Sequence, residues 1–286
     1  MLFDNQTMLT HNDNNFSLKV MVDSINQRLW VWDYSLRNGE AFSQYLKNKA
    51  SMHSAAKIII PARRKDLGEL IKHGYLLEGT AEGFFNGKDA FFMASYPEPT
   101  RRQSDKLEQK MNDLRKILAS PKKLAKKLPP GYSLRFATTE DATELAKLFN
   151  MVFSTYPTPL NNADYICELM NNDTIFILTE QNGAIIAAAA AEIDSDNSNA
   201  EMTNCATNPS HQGLGLMHII MEELQRTVLD RNIKCLYSLS RASEYGINLI
   251  LHRMGYTYSG TLINNCHISG QWEDMHLWVL NSPHLK

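Results

Sequence analysis

The sequence has no stretch that could serve as a membrane helix. Its longest apolar run, Ala184 to Ala191, is alanine-rich and stops at Glu192, well short of the ~20 residues that cross a bilayer. The N-terminus also lacks a basic flank followed by an apolar core, so no secretory signal is expected. Cysteine is scarce: Cys167, Cys205, Cys235 and Cys266 form no C-x-x-C pair, and no His/Cys cluster has zinc-ligand spacing. The expectation is reduced thiols near the cores of a cytoplasmic protein, without a metal. A nucleic-acid surface is also missing. The lysine run around Lys122–Lys127 has no interleaved aromatics and no glycine- or arginine-rich companion, so it reads as a solvated face.

What is present suits two packed domains. The chain has 286 residues, 43% of them apolar, which excludes a disordered chain. Charge is uneven. Residues 101–127 carry 10 basic and 3 acidic side chains, whereas residues 131–286 carry 8 basic and 17 acidic. An acidic half repels nucleic acid and favours a cationic substrate, although acidic surfaces also serve solubility.

The Asn-, Asp- and Thr-rich residues 1–15 read as a flexible tail. Residues 16–100 read as an N-terminal α/β domain, 101–130 as a helical linker and 131–286 as a second domain. In the linker, Leu107, Met111, Leu114 and Leu118 form one helical stripe, and Pro121, Pro129, Pro130 and Gly131 end it. Beyond it the pattern is β-α-α-β-β-β-α-β-α-β-β. "TIFILTE" and "AIIAAAAAEI" flank the tight turn Asn182-Gly183, and a long helix is expected from Gly215 to about Arg231.

The N-terminal half ends as the C-terminal half does. Gly74-Tyr75-x-x-Glu78-Gly79-Thr80 has the spacing of Gly255-Tyr256-x-x-Ser259-Gly260-Thr261, and each block leads into a hairpin. An internal duplication accounts for this, as does a common local solution reached twice.

The segment that carries chemistry is "EMTNCATNPSHQGLGLMHIIMEELQ", residues 201–225. A strand enters a Gln-Gly-x-Gly loop that opens a helix. Gly213 and Gly215 let the backbone approach a ligand, and the helix N-terminus adds unpaired donors and partial positive charge. Such a cradle suits a pyrophosphate. It is neither a Walker loop nor a dinucleotide fingerprint, because no Gly-Lys-Ser/Thr follows and the glycine spacing differs.

Here the chain resembles the GNAT acetyltransferases. The element order, the strand ending "CAT" and Gln212-Gly213-Leu214-Gly215 match that family's pattern over residues 131–280, with Met217 in place of its usual small residue. The resemblance implies an α/β fold with a mixed sheet, the N-terminal half resembling the second half of a GNAT fold. It implies acetyl-CoA as co-substrate, held by Cys205, Ala206, Thr207, Gln212, Gly213, Leu214, Gly215, Leu216, Met217 and Asn248. It also implies direct attack of a deprotonated amine on the thioester. Glu201 is then the candidate base and Glu192 its alternative. Strand alternation is expected to place Glu201, Thr203, Cys205 and Thr207 on one face. Leu251 occupies the position where the family often has an acidic tyrosine, which leaves the general acid unassigned.

Longer blocks, "GYLLEGTAEGFFNGKDAFFMASY" and "GYTYSGTLINNCHISGQWEDMHLWV", are similar to the β-lysine N-acetyltransferases. That resemblance implies acetylation of the ε-amino group of β-lysine, giving the solute Nε-acetyl-β-lysine. Glu78, Glu82, Asn264 and Asp274 are the candidate substrate contacts. The alternatives are a GNAT acting on a polyamine or a protein lysine, and an acyl-CoA-binding module without activity. The expected partner is a small amine, with no nucleic acid and no membrane; a homodimer is a further expectation.

Overall fold

The computed structural model describes residues 6–123 and 125–281. Its strands form one mixed sheet of 13 in the order β1-β2-β3-β4-β6-β5-β12-β13-β11-β10-β9-β8-β7. The N-terminal half contributes β1 (Gln6–Asn12), β2 (Phe16–Asp23), β3 (Arg28–Leu36), α1 (Gly39–Met52), β4 (Lys57–Ala62), α2 (Leu67–Lys72), β5 (Leu76–Phe85) and β6 (Lys88–Ser95). Helix α3 (Leu107–Leu118) follows. The C-terminal half contributes β7 (Tyr132–Phe136), α4 (Ala142–Val152), α5 (Ala163–Asn171), β8 (Thr174–Gln181), β9 (Ala184–Asp194), β10 (Asn199–Thr207), α6 (Leu216–Leu229), β11 (Cys235–Arg241), α7 (Tyr245–Arg253), β12 (Thr257–Ile268) and β13 (Gln271–Asn281).

Local chemistry explains most boundaries. Thr138 and Asp141 close a reciprocal cap ahead of α4, and Asn38 caps α1 by accepting from Ala41 N. The hairpin tips Asn86-Gly87, Asn182-Gly183 and Ser269-Gly270 all have two successive positive φ angles, the backbone twist that a two-residue hairpin requires. The expected flexible tail is corrected in part. Residues 6–12 form β1, paired antiparallel with β2 along its whole length, so this polar segment gains order from ladder bonds rather than from burial. Residues 1–5 lie outside the described residues. In the linker the helix ends at Leu118, before Pro121 as the sequence pattern expects, and Leu114 and Ile117 are buried against the α6–α7 side of the sheet.

The two halves repeat one plan. In each, a strand pairs parallel with the next for three residues (Arg28–Trp30 with Lys57–Ile59, Asn199–Glu201 with Cys235–Tyr237). In each, the second of these strands pairs antiparallel with the last strand of the half. The halves meet where β5 and β12 pair at a single register position, Gly79 opposite Gly260. These are the equivalent glycines of the repeated sequence block, so a pseudo-two-fold axis passes between them. A side chain at either would collide: a Cβ on Gly260 would lie 2.1 Å from Glu78 O, and one on Gly79 2.9 Å from Leu277 Cδ2.

One apolar core belongs to both halves. Ile59, Ala81, Phe84 and Phe92 join Leu145, Phe149, Leu262, Met275 and Leu277 in a single cluster. The N-terminal half therefore covers the α4–α5 face of the C-terminal sheet. The opposite face is closed by α6, α7 and α3.

Candidate active site

β10 and β11 start as parallel neighbours and then part. Their pairing ends at Glu201 opposite Tyr237, while β10 runs on to Thr207 and β11 to Arg241. The backbone between them is left open, as a wedge with its apex at Glu201. β10 also carries a bulge between Thr203 and Ala206 in its ladder with β9, with Asn204 at φ 54°. Asparagine is among the few side-chain-bearing residues that adopt this conformation readily. The Asn208 N–H is committed to Ile186 O on β9, so strand alternation turns the Thr207 N–H the other way, into the wedge.

The bulge overturns the expected single face. Cys205 packs toward α6, its Sγ 3.6 Å from Met221 Sδ, whereas Ala206 belongs to the core on the α4–α5 face. Burial pushes the Cys205 thiol up to about 12, so it is no nucleophile at neutral pH.

The wedge opens onto the glycine loop. Gln212, Gly213 and Leu214 are exposed, and Gly213 and Gly215 have φ of 80° and 82° with nothing within 4 Å of where a Cβ would stand. Among the described residues the amides of Gly213, Leu214 and Gly215 donate to no protein acceptor, and α6 starts at Leu216, leaving its first-turn donors without an intrahelical partner as well. Leu216 is buried and Met217 packs on the core with its side chain, which leaves the backbone N–H groups as their contribution. These donors fit a diphosphate. Gly213→Val should strain the loop, because a β-branched residue fits poorly at φ 80°, and should obstruct the cradle. The dissociation constant for acetyl-CoA, read by calorimetry, should rise roughly ten-fold or more.

At the apex, Glu201 and Glu192 are cross-strand neighbours on one face. Glu201 is half-buried, open to the wedge yet surrounded by protein. Burial, then the charge of Glu192, raises its pKa to about 8, against the opposing hydrogen bond from the Tyr237 hydroxyl. Burial also raises Glu192, with a partial offset from Asn204 Nδ2, which donates to its Oε1 at 3.0 Å. Tyr156 on the α4–α5 connection donates to Asn204 Oδ1 at 3.3 Å. Burial holds Tyr156 and Tyr237 well above the ordinary phenol range, so both keep their protons. The outcome is a carboxylate that titrates near neutral pH, flanked by phenols that donate to it and its neighbours.

Comparison with known proteins agrees with this geometry. Residues 142–256 match the model of the acetyltransferase (GNAT) family. The chain is 36% identical over 262 residues to the β-lysine N(6)-acetyltransferase of Methanosarcina mazei, covering 84% of this chain and 96% of that protein. The chain belongs to the GNAT acetyltransferase family. It is also 33% identical to N-acetyltransferase YodP of Bacillus subtilis, over 90% of this chain and 93% of that one. It is 30% identical to the β-lysine N(6)-acetyltransferase of Methanococcus maripaludis, over 91% and 94% respectively. It is accordingly an acetyl-CoA-dependent N-acetyltransferase.

Within this GNAT domain several expected contacts are reassigned. Asn248 is fully buried, and its amide is committed to protein. Oδ1 accepts from Ser240 Oγ and Trp278 Nε1, both at 2.7 Å, and Nδ2 donates to Arg241 O and Glu244 O. It ties α7 to β11 and β13 rather than binding the co-substrate. Leu251 is fully buried in the core, far in character from an acid. Glu78, Asn264 and Asp274 brace the junction of the halves. Glu78 pairs with fully buried Lys57 at 2.8 Å and accepts from Ile263 N and the Tyr96 hydroxyl. Asp274 pairs with Lys110 at 2.9 Å and accepts from Asn264 N and Ser104 Oγ. Asn264 donates to Arg101 O and Gln103 O. Glu82 is exposed on β5, where its charge acts on buried Cys235 at the start of β11.

Tyr237, Tyr156, Asn204 and Arg28 escape a reading of the sequence, yet they shape the apex. Only Asn204, an Asn inside a strand pattern, carries a local signal. The others arrive through pairing between distant strands and through the docking of the N-terminal half.

Proposed function

We propose that this enzyme transfers the acetyl group of acetyl-CoA to the ε-amino group of β-lysine, producing the compatible solute Nε-acetyl-β-lysine in the cytoplasm. The observation that carries this reading is that the likeness to two enzymes named for this reaction spans the N-terminal half as well as the GNAT domain. That half lines the catalytic face. Phe84 lies 5.2 Å from the ring of Tyr237, and Arg28 is close enough to act on the charge of Glu201. The β12–β13 tip reaches the α4–α5 connection through Ser269 N and Gly270 N, both bonded to Thr155. A face closed from both sides favours a small amine over a peptide.

Bound acetyl-CoA supplies an activated acyl group. Gly213, Leu214, Gly215 and the first turn of α6 would hold its diphosphate, and the Thr207 N–H would polarise the acyl carbonyl. Glu201 takes the proton from the substrate ammonium, and Tyr237 orients the carboxylate. Loss of the ammonium charge turns cationic β-lysine into a product with no net charge, which suits an inert solute.

The test is release of CoA thiol with β-lysine, α-lysine, spermidine and a lysine-containing peptide. β-Lysine should give the highest kcat/KM, by roughly ten-fold or more. A faster reaction with spermidine or the peptide would overturn the assignment.

A further inference from the structure

The junction between the halves holds a buried cation that has no ion-pair partner among the described residues. Four basic side chains converge there. Arg28 pairs with Asp23, Lys57 with Glu78 and Lys110 with Asp274. Arg101 is only 4% exposed, yet among the described residues no carboxylate forms an ion pair with it. Its Nε donates to Asn264 O and its Nη2 to Asn26 O, each at 2.8 Å. The ring of Trp272 lies 3.1 Å from the guanidinium carbon. Nη1 is buried and has no acceptor. Burying a charge is costly unless an opposite charge and complete hydrogen bonding accompany it. Burial, then the charge of Arg28, pulls its pKa down to about 10.

Arg101 also lines a pocket of about 520 Å³, together with Trp272, Lys106, Lys110, Ser243 and Glu273. Three carboxylates, Glu98, Asp105 and Glu273, share the lining with the three cations. Glu273 is buried and held by Ser243 Oγ and Gln271 Nε2, Glu98 Oε1 accepts from Thr100, and Lys110 is paired with Asp274. The unpaired donor of Arg101, rather than the net charge of the wall, therefore marks the anion position. The pocket is built partly on the β12–β13 pair, through Asn264, Gln271, Trp272 and Glu273. Glu273 pairs with Cys266 across the β12–β13 ladder, and Cys266 feels the charges of both Arg28 and Glu201. Ser243 lies just beyond the end of β11, on the open side of the wedge.

We propose that Arg101 is the receptor for the carboxylate of the acceptor amino acid, the group that distinguishes β-lysine from a plain diamine. The guanidinium is pre-positioned by its two carbonyl contacts and by the Trp272 ring. One donor stays in reserve for an anion. Arg101 touches no reacting atom and acts on specificity. This inference rests on the amino-acid acceptor proposed above.

The test compares β-lysine with 1,4-diaminopentane, the same skeleton without its carboxylate. The wild-type enzyme should prefer β-lysine. In Arg101→Met the ratio of the two kcat/KM values should fall about a hundred-fold, mainly through the KM for β-lysine. A wild-type preference for β-lysine with an unchanged ratio in the variant would overturn the role of Arg101 alone. A wild-type preference for the diamine would overturn the amino-acid reading and this inference with it. Because Arg101 also braces the junction, binding is read separately on the wild-type protein. 6-Aminohexanoate should produce a saturable change in tryptophan emission that disappears in Trp272→Phe, and hexylamine should not. An equal response to hexylamine, or none to 6-aminohexanoate, contradicts the proposal.

Discussion

Replacing Glu201 by glutamine should slow acetyl transfer by about 10²–10⁴-fold in kcat while leaving the affinity for acetyl-CoA nearly unchanged. The amide keeps the shape of the side chain but cannot take a proton. The wild-type rate should also rise with pH through about 8, because the proposed base Glu201 acts in its ionised form and its pKa is raised to about 8. The variant should lose that inflection. If Glu192 is the base, the inflection survives in Glu201→Gln and disappears in Glu192→Gln.

The same substitution has a stability signature of defined sign. An unfolded Glu titrates near 4.3, so between that pH and about 8 the folded protein binds a proton that the unfolded chain releases. The contribution of this group to stability falls as pH rises across that window. Glu201→Gln should therefore raise Tm relative to wild type at pH 9 and change it little at pH 5. An equal gain at both pH values would show that Glu201 is not titrating abnormally.

Gly260→Ala should be among the most damaging single substitutions outside the catalytic apex. Gly260 has φ 148°, and a Cβ there would lie 2.1 Å from Glu78 O and 2.4 Å from Gly79 Cα. Both obstacles are backbone, so relief requires β5 and β12 to move apart at their only paired position. That movement would also disturb Glu78, which accepts from Ile263 N and pairs with buried Lys57. A loss of about 3 kcal/mol or more is expected, lowering Tm by about 5–10 °C. Turnover should fall as well, since the same junction carries Arg28 beside the apex. Gly183→Ala is the control. Its φ is 79° but a Cβ there meets nothing within 4 Å, so it should cost only the ~1–2 kcal/mol of left-handed strain. Similar losses in both variants would show that the contact between the halves is not decisive.

The parts of the fold legible in the sequence are those fixed locally. Asn86-Gly87 and Asn182-Gly183 announce their hairpins because few residue pairs tolerate two positive φ angles. The paired Gly79 and Gly260 blocks reveal the repeat because a close backbone approach at a pseudo-two-fold axis admits only glycine twice. Strand β1 is illegible because QTMLTHN has neither an apolar alternation nor a buried residue, and its order comes from the β2 ladder.

Around the wedge, the strand carrying Glu201, the exposed glycine loop and the helix behind it are legible because they follow one another in sequence. The bulge at Asn204 is not, because a strand pattern carries no count of the residues opposite it. It decides nonetheless that Cys205 faces α6 while Ala206 faces α4 and α5. Asn248 shows the converse: its spacing from Gly255 suggests a ligand contact, but a buried amide must satisfy its own donors and acceptors first.

The N-terminal half also has an opening between β3 and β4, whose pairing stops at Trp30 opposite Ile59. Tyr34 fills this one. Its hydroxyl donates to Asp66 Oδ2 at 2.9 Å and accepts from Arg63 N at 3.0 Å, and Arg63 Nη1 bonds Tyr34 O. No Gly-x-Gly follows β3, since α1 starts at Gly39. Only the C-terminal repeat therefore keeps a wedge that could admit a co-substrate, and the N-terminal repeat supplies walls.

Amide hydrogen–deuterium exchange with and without acetyl-CoA tests this division of labour most directly. Binding should slow exchange at Cys205 to Thr207 and at Gly213 to Met217, and leave Arg28 to Leu36 and Lys57 to Ala62 unchanged. Protection confined to the N-terminal repeat, with none at Gly213 to Met217, would contradict it.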